Sequence, residues 1–502
     1  MSSARNLRIA CIGLTATTAA ACYTGLHFFG WHGITTRPLA LVGFVFTGAT
    51  LAVSLILTCQ STARLDRLGR WLLTLCEPPQ TELQQSSRLP KLTVALATIA
   101  FLVITSTFLS ILTNQSDSDP AAFLRFSGEV EQAGGPLNLL KELYTGEYIQ
   151  ANQHPFYIGL MSLSPTLDFG KALSFFAGLI TFLAVTLHLV KTRGWQTAGL
   201  GATLIATNYA FCYFSGLATC EAWLTLWITW VWILLDRSAL ARTLTHSRKL
   251  WFGLGFLMGL AYLTKGTAHV FLGALCLAGM TAYYQRRPDD SRIKKLQAAT
   301  GTLLVILCGW IIACHPLLIR NSIVYQSPTF NVNTYFLYMD NFPDEPAIQA
   351  KLAASHSLPE VFRTFLDNHT TTELLQREIQ GIGWESFIFV RSLGPSPIDD
   401  SRVLVALPIL LLTLLMLLHI PRSLQVYIVS LIIVSILIFG WYIPIAAGQR
   451  FTAPMIPMLM GYAAIGLNNT VENSPRLKSS VISLLAIAWA IIWSVWTVLL
   501  LA

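Results

Sequence analysis

The sequence predicts an all-α polytopic membrane protein of about thirteen transmembrane helices, with two large extracytoplasmic loops carrying surface helices. Three observations carry that expectation. The 502 residues are 54% hydrophobic and only 12% charged, against about 25% charged in ordinary soluble domains. Apolar runs of about 18 residues or more recur along the whole chain, the length a helix needs to cross a bilayer. Basic residues collect in alternate connecting segments, as they do on the cytoplasmic side of membrane proteins. Backbone groups in lipid must be satisfied within the chain, so helices are the expected form.

The spans run, in order, 7–29, 38–58, 93–113, 169–190, 197–215, 219–236, 250–264, 267–285, 297–317, 402–419, 423–443, 449–467 and 479–500. Arg5 and Arg8 precede the first, but no convincing small-residue cleavage site follows it, so it reads as a retained anchor. Residues 62–77 are different. Leu65, Leu68, Leu72 and Leu75 recur at helical spacing while Arg64, Arg67 and Arg70 occupy other faces. That pattern predicts a helix lying in the membrane interface. The run 250–285 is too long for one span, since its 36 residues would extend about 54 Å. Basic clusters flank it at both ends, Arg248-Lys249 and Arg286-Arg287, so it folds as a hairpin turning at Lys265-Gly266. Trp31, Trp251, Trp384 and Trp441 fall near expected helix ends, where interfacial aromatics sit. Within the second large loop, Leu358 to Gln380 carries a helical pattern.

With the N-terminus in the cytoplasm, the inner segments hold 21 of the 33 basic residues and 7 of the 25 acidic ones. The net charge of +8 is therefore explained by topology and implies no nucleic-acid partner. This orientation puts loops 114–168 and 318–401 outside the cell. Nine cysteines occur without a Cys-x-x-Cys spacing, and most lie in apolar runs. They read as small buried hydrophobes, not as zinc ligands or a disulfide framework.

Chemistry-bearing residues gather on that outer face. Asp117 and Asp119 follow the third span. Such acids are ordinary turn residues, or they supply a general base for a hydroxyl nucleophile and a second acid that orients it. His154-Pro155-Phe156-Tyr157 precedes the fourth span. Pro155 keeps His154 out of helix, so the motif is either an interfacial aromatic anchor or the rigid edge of a substrate pocket. Glu147 lies in the same loop and Glu221 in the next outer turn, where it either caps a helix or lines the pocket. Lys265, Arg320 and Arg450 are three cations at outer helix ends. Each is either a side chain snorkelling to the interface or a ligand for a phosphate at headgroup level, which suits arginine's paired donors in particular.

The motifs, in this order, resemble the GT-C superfamily of polytopic glycosyltransferases, in particular the protein O-mannosyltransferase and aminoarabinose-transferase-like group. They are Asp117-Ser118-Asp119-Pro120-Ala121-Ala122-Phe123, then His154-Pro155-Phe156-Tyr157, then Gly259 to Lys265, His315-Pro316 to Arg320-Asn321, and Arg450-Phe451 to Pro457. The resemblance covers about residues 93–467. It departs in having two spans before the acidic loop and Phe156 where the family has a second proline. It implies transfer of a sugar from a polyprenyl-phosphate donor to an acceptor hydroxyl on the extracytoplasmic face, as in cell-envelope glycosylation. Asp119 would be the catalytic base, with Asp117 second. Lys265, Arg450 and Arg320 would bind the donor phosphate, and Glu147, His154, Tyr157 and Glu221 would line the pocket. The acceptor would be a lipid, a glycan or a protein.

The expected organisation is an N-terminal two-helix extension with the interfacial segment (1–92), a catalytic module (93–467) and a C-terminal helix (468–502) in a bacterial cell membrane. The cofactor is unknown; the acids would tolerate a divalent metal but do not indicate one. Two other classes compete. A lipid-linked oligosaccharide transferase or ligase would share the outer acids and cations. A lipid or solute transporter or flippase would show charged or broken helices near the bilayer midplane and internal repeats.

Overall fold

The computed structural model describes residues 3–35, 38–75, 88–111, 119–150, 154–241, 247–286, 291–341, 358–395, 402–446, 448–474 and 478–501. Among them there is no β-strand; one isolated bridge joins Asn208 and Pro395. Five helices are long and apolar enough to cross a membrane, the composition of an integral membrane protein: Arg88–Ile111, Leu167–Ala206, Arg292–Tyr325, Arg422–Trp441 and Ser479–Leu501.

The N-terminal part holds α1 (Ser3–Thr35), α2 (Pro38–Thr58) and α3 (Thr62–Leu75). α3 buries Leu65 and leaves Trp71 exposed, as its amphipathic pattern requires. α4 (Arg88–Ile111) is followed by three short helices of the first large loop: α5 (Asp119–Gln132), α6 (Pro136–Thr145) and α7 (Pro155–Met161). α8 (Leu167–Ala206) bends at Gly194, whose φ of 86° lies in the left-handed region.

Sequence periodicity reads 197–215 as one span, but the helix breaks at Thr207-Asn208 and restarts as α9 (Tyr209–Gly216). Asn208 causes the restart. Its Oδ1 accepts from the Phe211 amide at 2.9 Å, an N-cap that asparagine favours. α10 (Glu221–Leu240) follows, then the hairpin α11 (Arg248–Thr264) and α12 (Ala268–Arg286), turning at the expected place.

α13 (Arg292–Tyr325) runs well past the expected end at 317, carrying Pro316 inside it. α11 lies directly on α13 because Gly255, Gly259 and Gly309 have no side chains; a Cβ at any of them would overlap backbone of the partner helix. Next come α14 (Val332–Phe336), α15 (Leu358–Asp367) and α16 (Thr371–Ser392), the last packed in the bundle, with Gly381 against the backbone of Gly440 and Gly383 against that of Ala20. α16 opens with a reciprocal capping box between Thr370 and Glu373.

The chain ends with α17 (Arg402–Leu417), α18 (Arg422–Trp441), a 3-10 turn Ala453–Met455, α19 (Ile456–Glu472) and α20 (Ser479–Leu501). The expected span 449–467 thus begins as a turn, and Pro454 and Pro457 delay the helix until Ile456. One core runs through the bundle. In it Phe101 stacks on Phe182 at 5.0 Å and lies 5.8 Å from Phe211, tying α4, α8 and α9 together.

Candidate active site

The loop helices and helix ends bring five distant segments together. Asp119 is the first residue of α5, where an acid is favoured by the helix dipole and where the following Pro120 costs no hydrogen bond. Arg450, in the turn before Ala453–Met455, donates from Nη1 to Asp119 Oδ2 at 2.8 Å. The pair is open to solvent: the Asp119 side chain is 53% exposed and that of Arg450 30%. Asp119 Oδ1 has no hydrogen-bond partner among the described residues. Behind Arg450, Phe451 stacks on Phe439 at 4.1 Å and meets the Tyr442 ring edge-on at 6.0 Å.

A second ion pair is buried. Glu221 starts α10 and accepts from the Lys265 ammonium, which closes α11 in an extended conformation. The Glu221 side chain is 1% exposed. Burial is the largest single effect and disfavours the Lys265 ammonium, but Glu221, Cys220 and Asp119 together outweigh it and the lysine pKa is raised. Lys265 is therefore not a snorkelling cation; it is held inside, and Glu221 does more than cap its helix.

His154 links the two pairs. It is the N-cap of α7, and its Nδ1–H donates to the Thr264 carbonyl at 2.8 Å. Burial and then the Lys265 charge lower its pKa to about 4, so the ring is neutral at pH 7 and Nε2 is an acceptor. Phe123, one turn beyond Asp119, packs edge-on to His154 at 5.2 Å and to Tyr157 at 5.0 Å. This is why an aromatic follows Asp119 at four residues: it fastens the acidic end of α5 to α7. Tyr157 is fully buried and donates its hydroxyl to the Gly170 carbonyl at 3.3 Å, so it forms the inner wall, not a contact surface.

Two expected members stand apart. Arg320 is buried, with its guanidinium 5.6 Å from the Tyr148 ring and 5.3 Å from that of Tyr325. It donates to the Gln150 carbonyl, and Tyr325 donates to that of Ile149 at 2.8 Å. These bonds pin residues 148–150, and with them the exposed Glu147, to the end of α13. Asp117 lies outside the described residues. Sequence reading missed Cys220, whose Sγ is 3.6 Å from His154 Nδ1, and the role of Thr264. Neither carries a local signal, because both act only through the approach of α7, α10 and α11. Among the described residues no three metal-ligating side chains converge.

No family model matches the chain, and no curated protein matches it. Solved structures do resemble it. An oligosaccharyltransferase from Archaeoglobus fulgidus, AglB, in complex with an inhibitory peptide and a dolichol-phosphate, is 14% identical with a TM-score of 0.38. That match covers 82% of this chain and 56% of the other, so the chain spans about half the length of the archaeal enzyme. ArnT from Cupriavidus metallidurans bound to undecaprenyl phosphate is 15% identical with a TM-score of 0.29, covering 75% of this chain and 78% of the other. Both are GT-C superfamily polytopic glycosyltransferases. The motifs resemble the same superfamily. At these low scores the likeness carries no weight for the chemistry, which rests on the residues.

Proposed function

We propose that the chain transfers a sugar from a polyprenyl-phosphate-linked donor to an acceptor hydroxyl at the extracytoplasmic face, with residues 93–467 as the catalytic module. The observation that carries this reading is the Asp119–Arg450 pair, which sets a half-exposed carboxylate, one oxygen of which has no partner among the described residues, beside a guanidinium whose paired donors suit a phosphate. Asp119 Oδ1 accepts the acceptor's proton as its oxygen bonds to the anomeric carbon. The bond from that carbon to the donor phosphate breaks, and polyprenyl phosphate leaves. Arg450 then turns its donors to the departing phosphate, and the Lys265 ammonium adds charge from behind. Fixed cations in a poorly hydrated site are worth several kcal/mol to such a transition state. Because Arg450 also holds Asp119, phosphate and base compete for it: donor arrival loosens the carboxylate and makes it available to the acceptor. Arg320 serves by fixing the 147–150 segment.

The test is single-turnover consumption of a defined polyprenyl-phosphate sugar by purified protein, with Asp119→Asn as the comparison. Asparagine keeps the size but cannot take a proton. Donor binding persists in the variant while turnover falls. Equal turnover of both proteins would remove Asp119 from the chemistry and the transferase reading with it.

A further inference from the structure

Outside the cluster of ion pairs, a cavity of about 460 Å³ opens between the start of α16 and the turn after α18. That volume falls within the range of about 300–1,000 Å³ usual for small-molecule sites. Its floor is rigid. Arg377 donates from Nε to the Trp441 carbonyl at 3.1 Å, from Nη1 to Asp340 at 3.1 Å and from Nη2 to the Met339 carbonyl at 2.9 Å. His369 Nε2 lies 3.2 Å from the same Asp340 oxygen. The Glu373 carboxylate is engaged in the capping box with Thr370. The charged groups around the cavity are thus already partnered.

What remains is neutral. Gln380 lines the cavity, and its Nε2 is buried without a hydrogen-bond partner among the described residues. An orphaned amide donor of this kind costs about 1–3 kcal/mol unless something accepts from it. The Gln376 amide stands one turn away, and Trp384 and Pro444 provide flat apolar wall. A ligand that matches needs hydroxyls for the amides, C–H faces for the aromatic surface, and no net charge. A pyranose ring has all three.

One wall of the cavity belongs to the turn that leads to the candidate active site. Pro444 follows Tyr442, whose ring meets Phe451 beside Arg450. Tyr442, Ile445, Phe336 and Met339 share one small apolar cluster beneath that turn.

We propose that this cavity is a subsite for a neutral pyranoside, and that it seats a sugar ring of the acceptor. The acceptor role rests on the transferase reading; the binding does not. The probes are the methyl α- and β-pyranosides of glucose, galactose, mannose and N-acetylglucosamine, added to full-length protein in lipid nanodiscs without donor. Saturation-transfer difference NMR reads contact with ring protons. At least one glycoside receives saturation beyond empty nanodiscs, and Gln380→Ala weakens its binding about 2- to 10-fold, the loss of one neutral hydrogen bond. Trp384→Ala weakens it too, whereas Trp384→Phe keeps the flat wall and retains binding. Variants are compared only at wild-type melting temperature, and Gln376→Ala replaces any that melts early. Absence of saturation for all eight glycosides, or identical binding in the Gln380 and Trp384 alanine variants, overturns the subsite. In the transfer assay, the Gln380→Ala variant raises KM for a glycoside acceptor at unchanged kcat; an unchanged KM overturns the acceptor role. Binding that persists in a protein unable to consume any donor would sink the transferase reading and leave the subsite standing.

Discussion

The chain holds two carboxylate centres built from similar parts and put to opposite ends. Near the C-terminal end of α10, Asp236 accepts from His188 Nε2 at 3.0 Å and from the Tyr462 hydroxyl at 3.0 Å. All three side chains are buried, and the Trp232 ring closes over them, 5.4 Å from His188 and 5.7 Å from Tyr462. Both oxygens of Asp236 are spent, on donors from α8 and α19. Asp119 has one oxygen on Arg450 and the other without a partner among the described residues, and its side chain is 53% exposed. A buried carboxylate with each oxygen engaged by a donor from another helix fixes helix packing. A half-exposed one with spare capacity can exchange a proton. Residue type does not separate the two; unspent hydrogen-bonding capacity does.

The largest expected effect breaks or confirms that contrast directly. Asp119→Asn lowers turnover per folded molecule by about 10²–10⁴, with stability changed by at most about 1 kcal/mol because the pair is exposed. Transfer rate and thermal melting, measured on the same preparation, check both halves. Next comes Lys265→Ala, which strands the buried Glu221 carboxylate and costs about 3–5 kcal/mol of stability. The double variant Lys265→Met/Glu221→Gln regains most of the melting temperature but not donor consumption. If it regains both, the pair is scaffold only.

Asp236→Asn should do the reverse of Asp119→Asn. It costs about 1–3 kcal/mol and leaves turnover per folded molecule unchanged; a turnover defect at constant stability would erase the distinction between the two centres. The smallest effect is a pH dependence at His154. Its folded pKa of about 4 lies below the ordinary 6.5, so the unfolded chain binds the proton more readily. Stability from this group is complete above pH 6.5 and is lost as pH falls toward 4. His154→Gln keeps a donor for the Thr264 carbonyl and should flatten the melting profile across that window.

The helical class and the hairpin at Lys265-Gly266 were legible in composition and charge, because both follow from length and sign along the chain. Lys265, Glu221, Asp119 and Arg450 were each visible as ionisable groups at outer ends. Their pairing was not, since it joins residues 44 and 331 positions apart through the rotation of helices that hydropathy does not encode. Arg320 looked like its fellow cations from the sequence, and only the rings of Tyr148 and Tyr325 set it apart. His188 and Asp236 escaped notice inside apolar spans, where averaging over a window hides one polar residue; the rule that ionisable groups within spans need a partner would have found them.

The interruption at Thr207-Asn208 has a consequence for how the chain is made. Asn208 Nδ2 donates to the carbonyls of Ser392 and Gly394, at 2.9 and 3.3 Å, and the Tyr209 amide donates to Gly394 at 3.3 Å. The first of these partners lies 184 residues downstream. At about 5–20 residues per second, the ribosome takes about 10–40 s to supply it. Until then the break at Thr207-Asn208 lacks these partners. The break in the early half of the protein is thus clasped by a segment translated much later.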